Sequence, residues 1–342
     1  MKSILLASAS LVGFAGAAAA EVTFGGTATL GYNDVVKDGF YWEGDLAVTL
    51  SQQLNNGLTA AASFSLNITD DNLGNDDTFV VDGNWVMSIS SETAALTFGD
   101  TDQAAEKLYA GVDGMDFDAF AEDNIGDAIL RGDVTLSGFD VSVSYNVSAD
   151  EDLVGLQLGA AGNFGNFGVT FGYQDDSFPE GEIFGISGNT TFSGAAVTVG
   201  FSKNTDYGQS IGIAASYPVG PVTVSAYVAM NTPDVGDSYN NYGIGVDYAS
   251  GPFTVGVDFD VEGDDDGVFA IEGTYAATEA ILVRFGVLGS GDAYYVGAEM
   301  DLGSDSTFLV TFADDGDDLV DNDEIGDPEY LEGMTAELTL AF

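Results

Sequence analysis

The last strand-length segment of the chain, Gly333-Met-Thr-Ala-Glu-Leu-Thr-Leu-Ala-Phe342, constrains the fold more than any other. Met334, Ala336, Leu338, Leu340 and Phe342 alternate with Thr335, Glu337, Thr339 and Ala341. Successive side chains of a strand point to opposite faces, so this is a strand with one apolar and one polar face, ending on an aromatic. The pattern recurs in Val22, Phe24, Gly26, Ala28, Leu30 and Tyr32, then in Trp42, Leu46, Val48 and Leu50, then in Leu58, Ala60, Ala62, Phe64, Leu66 and Ile68. Phe139, Val141, Val143, Tyr145 and Val147 alternate with Asp140, Ser142, Ser144 and Asn146. Phe253, Val255, Val257, Phe259 and Val261 do so with Thr254, Gly256, Asp258, Asp260 and Glu262.

The chain is 45% hydrophobic, yet no stretch after the N-terminal region approaches the roughly 20 continuous apolar residues of a spanning helix. Segments of about ten alternating residues separated by turns are the pattern of a transmembrane barrel. A bilayer crossed without helices admits only a closed barrel, because unpaired backbone groups are too costly in hydrocarbon. A soluble sandwich shares the period, but not carboxylates on the inward side of so many strands. The predicted fold is an all-β, transmembrane, antiparallel barrel.

Two kinds of connection alternate along it. One set is short, including Asn55-Asn56-Gly57, Ser137-Gly138, Ser193-Gly194, Ser250-Gly251-Pro252 and Gly303-Ser304. The other is acidic and mostly longer, including Asp70 to Asp77, Asp175 to Glu182, Gly263 to Gly267 and Asp314 to Glu329. With both termini on the short-turn side, the strand number is even, and the turns set an upper count of about 20. The long connection Gly99 to Asp127 lacks alternation, carries a helical turn or two over Gln103 to Tyr109, and is the third long loop. A connection of that length inside a compact domain is functional in character.

Lys2, the apolar run Ile4 to Ala20 and Ala18-Ala19-Ala20 before Glu21 read as a secretory signal peptide over residues 1–20, which leaves 21–342 as a single barrel. With 56 acids against 6 bases and a net charge of −50, the chain has no basis for binding nucleic acid. Its 2 Trp, 15 Tyr and 23 Phe argue against disorder, which goes with few aromatics. Absence of Cys and His excludes a disulfide framework, thiolate metal sites and hydrolysis by a Ser-His-Asp triad. No enzyme is expected. Trp42, Trp85, Tyr32, Tyr145, Tyr173, Tyr217, Tyr248 and Tyr330 fall near strand ends and are expected outside, in the aromatic girdles at the membrane interfaces.

The polar faces carry Glu43, Asp45, Asp82, Asp133, Asp247, Asp258, Asp260, Glu272, Glu299 and Glu337. The third loop adds Asp100, Asp102, Glu106, Asp113, Asp116, Asp118, Glu122, Asp123 and Asp127. Taken singly, each is a solvated lining residue; together they concentrate cations and exclude anions. Arg131 and Arg284 are the inward bases. Arg131, just after the loop, is expected to tether it through bidentate pairing with loop carboxylates. For Arg284 a tether and a local counter-charge both stay open. Asp264, Asp265 and Asp266, and the last acidic run with Asp321 and Asp323, invite calcium, which prefers several hard oxygens. Because Asp321-Asn-Asp-Glu-Ile-Gly326 lacks an EF-hand ligand at its fifth position, loosely held Ca2+ on hydrated loops is expected there, and no other cofactor.

The closing strand with Phe342 resembles the C-terminal signal that the barrel-assembly machinery of bacterial outer membranes reads. Leu96-Thr-Phe-Gly-Asp-Thr-Asp-Gln-Ala-Ala105, Glu21-Val-Thr-Phe-Gly-Gly26 and the Trp42 strand are similar to stretches of the alphaproteobacterial, Rhodobacter-type general porins. The resemblance implies a homotrimer in the outer membrane of a Gram-negative bacterium, among lipid and lipopolysaccharide. It further implies 16 strands, a third loop folded into each lumen (residues 99–127), and a basic cluster facing an acidic loop. In place of that cluster stand Glu43 and Asp45. The expected function is passive diffusion of small hydrophilic solutes and ions, with a preference for cations. The competing expectation is a non-conducting structural or adhesive barrel whose acidic loops bind divalent cations.

Overall fold

A computed structural model describes residues 20–35, 39–69, 78–80, 85–121, 128–147, 152–289, 293–315, 325–326 and 330–342. Residues 1–19, and with them the signal-peptide expectation, lie outside these, as do Asp82, Glu122, Asp123, Asp127, Asp321 and Asp323.

The first strands are β1 (Glu21–Asn33), β2 (Phe40–Gln53), β3 (Thr59–Thr69), β4 (Thr78–Val80), β5 (Val86–Ser90) and β6 (Ala94–Gly99). One short helix, α1 (Ala104–Leu108), follows within the third loop. Then come β7 (Ala128–Leu136), β8 (Phe139–Val147), β9 (Leu153–Phe164), β10 (Phe167–Gln174), β11 (Ile183–Phe192), β12 (Ala195–Asn204), β13 (Gly208–Val219) and β14 (Val222–Pro233). The chain closes with β15 (Tyr239–Ser250), β16 (Phe253–Val261), β17 (Val268–Ala276), β18 (Ile281–Gly289), β19 (Ala293–Gly303), β20 (Ser306–Asp314) and β21 (Gly333–Ala341).

Consecutive strands pair antiparallel, and β21 pairs with β1 to close the sheet, with Ala341 opposite Thr27 and Thr335 opposite Asn33. β4 and β5 occupy successive stretches of β3 and share one position in the barrel. The barrel therefore has 20 strands, the number reached by counting turns and four more than the resemblance implies. The backbone of Phe342 extends the closure, donating to the Gly26 carbonyl at 3.0 Å and accepting from the Gly26 N–H at 3.3 Å.

The alternation sorts residues as the sequence predicts. Phe24, Leu30, Tyr32, Trp42, Val141, Ile244, Phe259, Met334 and Phe342 are exposed on the outer face, where hydrocarbon takes the place of water. The short turns follow from their residues. Ser137 and Gly138 (φ 53° and 86°), like Ser193 and Gly194 (φ 52° and 88°), are left-handed pairs. Such pairs form the tight hairpin turns whose twist matches the flanking strands.

Candidate permeation pathway

The third loop turns into the barrel and lies along the inner wall from β8 to β15. Polar side chains projecting inward from those strands satisfy its backbone groups, as a non-helical segment away from solvent requires. Ala104 N donates to Ser144 Oγ at 2.9 Å, Ala105 N to Gln157 Oε1 at 3.0 Å and Ala121 N to Gln174 Oε1 at 2.8 Å. Phe117 N donates to Ser210 Oγ at 3.1 Å. At the far end, Asn231 and Asn241 each donate to the Gly114 carbonyl at 2.9 Å. Asp116 accepts from Tyr239 Oη at 2.6 Å and from Asn241 at 2.9 Å.

Room for the loop comes from glycine. Gly159, Gly172 and Gly185 stand opposite one another on β9, β10 and β11. A Cβ on Gly159 would lie 1.9 Å from the Ala104 carbonyl oxygen, and on Gly172 or Gly185 2.7 Å from the Phe120 or Tyr109 ring. Paired Gly200 and Gly212 do the same beneath Val112 and Met115.

Arg131 is buried at the root of the loop and donates through Nη1 to the Asp102 carbonyl. Its Nε donates to Asp133 Oδ2 at 3.1 Å, while Lys107 Nζ donates to Asp133 Oδ1 at 2.9 Å. Arg131 thus touches the loop as expected, but through a backbone carbonyl. Its close carboxylate partner is on its own strand, and the Asp102 carboxylate is 4.0 Å away. Among the described residues, bidentate pairing with loop acids, the expected geometry, is not formed, because Asp133 sits two residues along the same face and claims the guanidinium. Glu106 accepts from the Gln103 N–H at 3.1 Å and so belongs to the helix start. Asp100 and Asp102 are exposed at the loop entrance.

Beyond the tip of the loop the wall is acidic. Asp113 on the loop, Tyr227 on β14 and Asp258 and Asp260 on β16 line a 460 Å³ cavity. Asp247, Asp258, Glu272, Arg284 and Tyr295 line a second of 220 Å³. Among the described residues, Arg284 Nε has no hydrogen-bond partner there. Farther round, Asn67 Nδ2 bridges Glu43 Oε1 at 3.0 Å and Asp45 Oδ1 at 2.9 Å. Glu299 and Glu337 share the inward parity, both standing opposite Leu309. Among the described residues the bases are Lys107, Arg131, Lys203 and Arg284, and Lys203 pairs with the outward Phe184.

Within the loop, burial pushes the Asp118 carboxyl up to about 6, and nearby Asp116 adds to this. The Tyr109 hydroxyl, donating to Asp118 Oδ2 at 3.1 Å, works the other way. Burial likewise raises Tyr109 itself.

The placement of Tyr330 differs from the sequence reading. Tyr330 is not in the outer girdle: it is 3% exposed and packs inside the barrel with Ile325 against Tyr295 and Ala313. It lies outside the alternating segments, three residues ahead of β21, and two apolar residues inside an acidic run, Ile325 and Tyr330, are its one signal in the sequence. The lumen tyrosines Tyr41, Tyr227 and Tyr295 carry no such signal in the sequence, because each bonds to an acid across an intervening strand, a match that only the strand register reveals. Asp264, Asp265 and Asp266 are exposed in the turn after β16, and among the described residues no group of carboxylates has metal-holding geometry.

A family model for Gram-negative porins matches residues 7–318. The chain belongs to that porin family. A triple mutant of the Rhodopseudomonas blastica porin is similar in structure, with a TM-score of 0.51 and 17% identity over 74% of this chain and 99% of that one. Another mutant of the same porin gives a TM-score of 0.50 and 17% identity over 75% and 99%. At such identity the likeness concerns the fold. No curated protein matches the sequence. The protein is thus an outer-membrane β-barrel channel and not an enzyme.

Proposed function

We propose that this porin passes small hydrophilic solutes and ions by diffusion and selects for cations. The observation that carries the proposal is the charge balance of the lumen. Glu43, Asp45, Asp113, Asp247, Asp258, Asp260, Glu272, Glu299 and Glu337 belong to the pathway, while Arg131 and Lys107 are both engaged by Asp133. Among the described residues, Arg284 alone supplies a counter-charge on the acidic wall. Two unit charges about 4 Å apart interact by roughly 1 kcal/mol in water and about 4 kcal/mol near a protein surface. Several carboxylates acting together outweigh one arginine, so cations are enriched and anions repelled.

Export through the signal at residues 1–20, insertion of residues 21–342 by the barrel-assembly machinery, contact with lipid and lipopolysaccharide and assembly as a homotrimer complete the proposal. These rest on the sequence features and on family resemblance. The test is single-channel recording of refolded protein in a planar bilayer across a KCl gradient. A reversal potential near that of K⁺ supports the proposal, and conductance steps in threes support the trimer. A reversal potential at zero or toward Cl⁻ overturns the selectivity, and absence of conductance overturns the pore in favour of a closed, ion-binding barrel.

A further inference from the structure

Three lumen tyrosines repeat one arrangement across three neighbouring strands. Tyr41 on β2 stands opposite Gly31 on β1, which stands opposite Glu337 on β21. Tyr227 on β14 stands opposite Gly243 on β15, then Asp260 on β16. Tyr295 on β19 stands opposite Gly286 on β18, then Glu272 on β17. In each case the tyrosine crosses the glycine and its hydroxyl donates to the acid: to Glu337 Oε2 at 2.8 Å, Asp260 Oδ1 at 2.8 Å and Glu272 Oε1 at 2.7 Å. The glycine is required by space. A Cβ would lie 2.0 Å from the Tyr41 ring at Gly31, 2.4 Å from the Tyr227 ring at Gly243 and 2.2 Å from the Tyr295 ring at Gly286.

We infer that Tyr41, Tyr227 and Tyr295 are positioning residues for permeation, each clamping one lumen carboxylate flat against the wall so that its charge faces the pathway while its side chain stays out of it. The inference rests on the cation-selective reading, since it concerns the acids that produce the selectivity. Without a clamp, Asp and Glu side chains in water sample several rotamers, some of them reaching toward the axis. The ring covers backbone that the glycine leaves bare, and the hydroxyl fixes the carboxylate at two strands' distance. Tyr227 and Asp260 line the 460 Å³ cavity, and Glu272 and Tyr295 the 220 Å³ one, so two clamps border the open space itself. Tyr295 has a further load, because Ile325 and Tyr330 of the last loop pack on it.

The test compares Tyr41→Phe, Tyr227→Phe and Tyr295→Phe, singly and combined, with Glu337→Gln, Asp260→Asn and Glu272→Gln in refolded full-length protein. Each Tyr→Phe keeps the ring and removes one hydrogen bond, which shifts the clamped fraction by about fivefold. The expected result is lower mean conductance and greater open-channel current noise with the reversal potential retained, because every charge remains. The amide variants are expected to do the reverse: to move the reversal potential toward zero while noise stays low. Gly31→Ala, Gly243→Ala and Gly286→Ala displace the ring and should reproduce the Tyr→Phe noise. Should a glycine variant fail to fold, the Tyr→Phe set, which adds no atom, still decides. Unchanged conductance and noise in the combined Tyr→Phe variant, with only a lower unfolding temperature, overturns the clamp and leaves the tyrosines as packing. A reversal potential unmoved by the amide variants instead overturns the cation-selective reading, whatever the noise does.

Discussion

Asp118 is a carboxylate that burial and Asp116 both make harder to ionise, to the point where its titration moves to about 6. In the unfolded chain such a group titrates near 3.9. A raised folded value means that the protonated form favours the docked loop, so the contribution is fully present below pH ~4 and is lost as pH rises through about 6. Its size, discounted for partial exposure, is on the order of 2 kcal/mol. Protection factors over residues 112–121, the intrinsic exchange rate at each pH divided by the observed one, should therefore be larger at pH 4 than at pH 7. Asp118→Asn, which still accepts from Tyr109, should remove that difference and protect the loop at pH 7. Equal pH dependence in wild type and variant would refute the assignment. At this scale the sequence was legible wherever parity alone decides, as for Glu43, Asp45 and Asp258. It was not legible for Asp118, whose surroundings depend on the loop folding back so that Tyr109 bonds to it, nor for Tyr330, which joins a cluster packed by Leu288, Ala293 and Leu309 from three strands.

The third loop is an element fixed at both ends by different means. Its root is held by charge, through Arg131, and its length by a flat glycine lane with polar partners on either side. Gly159→Val should therefore lift α1, since the Ala104 carbonyl leaves no room for even one carbon, while the strand pairing of β9 survives. Protease cleavage within 100–121 should rise and single-channel conductance should change, with heat-modifiable migration of the barrel retained. Gly188→Ala, whose nearest neighbour is the Gly168 carbonyl at 3.7 Å, serves as the control and should do neither. Arg131→Met should destabilise the root by about 2–3 kcal/mol, the worth of hydrogen bonds from a charged donor. Thermal unfolding would register that loss; an unchanged transition would show that Lys107 alone holds Asp133 and the loop. The existence and rank of this loop were readable from its length and its broken alternation. Its path was not, because Gly159, Gly172 and Gly185 form a lane only once the register of three strands is known.

For the molecule as a whole, strand number and loop placement answer one another. Barrel diameter grows with strand number, and 16 to 18 strands already leave an aqueous channel. Twenty strands open the wall further, and the inward third loop and the inward Ile325 and Tyr330 of the last loop fill part of what is gained. The carboxylates that remain on the pathway act over distance and not by contact, so their effect should follow the screening length. That length is about 10 Å at 0.1 M salt and about 3 Å at 1 M. Reversal potentials measured across the same fold-gradient of KCl should show strong K⁺ preference when the mean concentration is near 0.1 M and little near 1 M. A preference that survives molar salt would mean that ions touch the acids directly. The place for that is the cavity where Asp113 on the loop and Asp258 and Asp260 on the wall come together. Neutralising those three, and not the Glu43–Asp45 pair, would then abolish the selectivity. The dependence on salt thus separates a pore whose sign is set by the whole lining from one ruled by a single narrow passage.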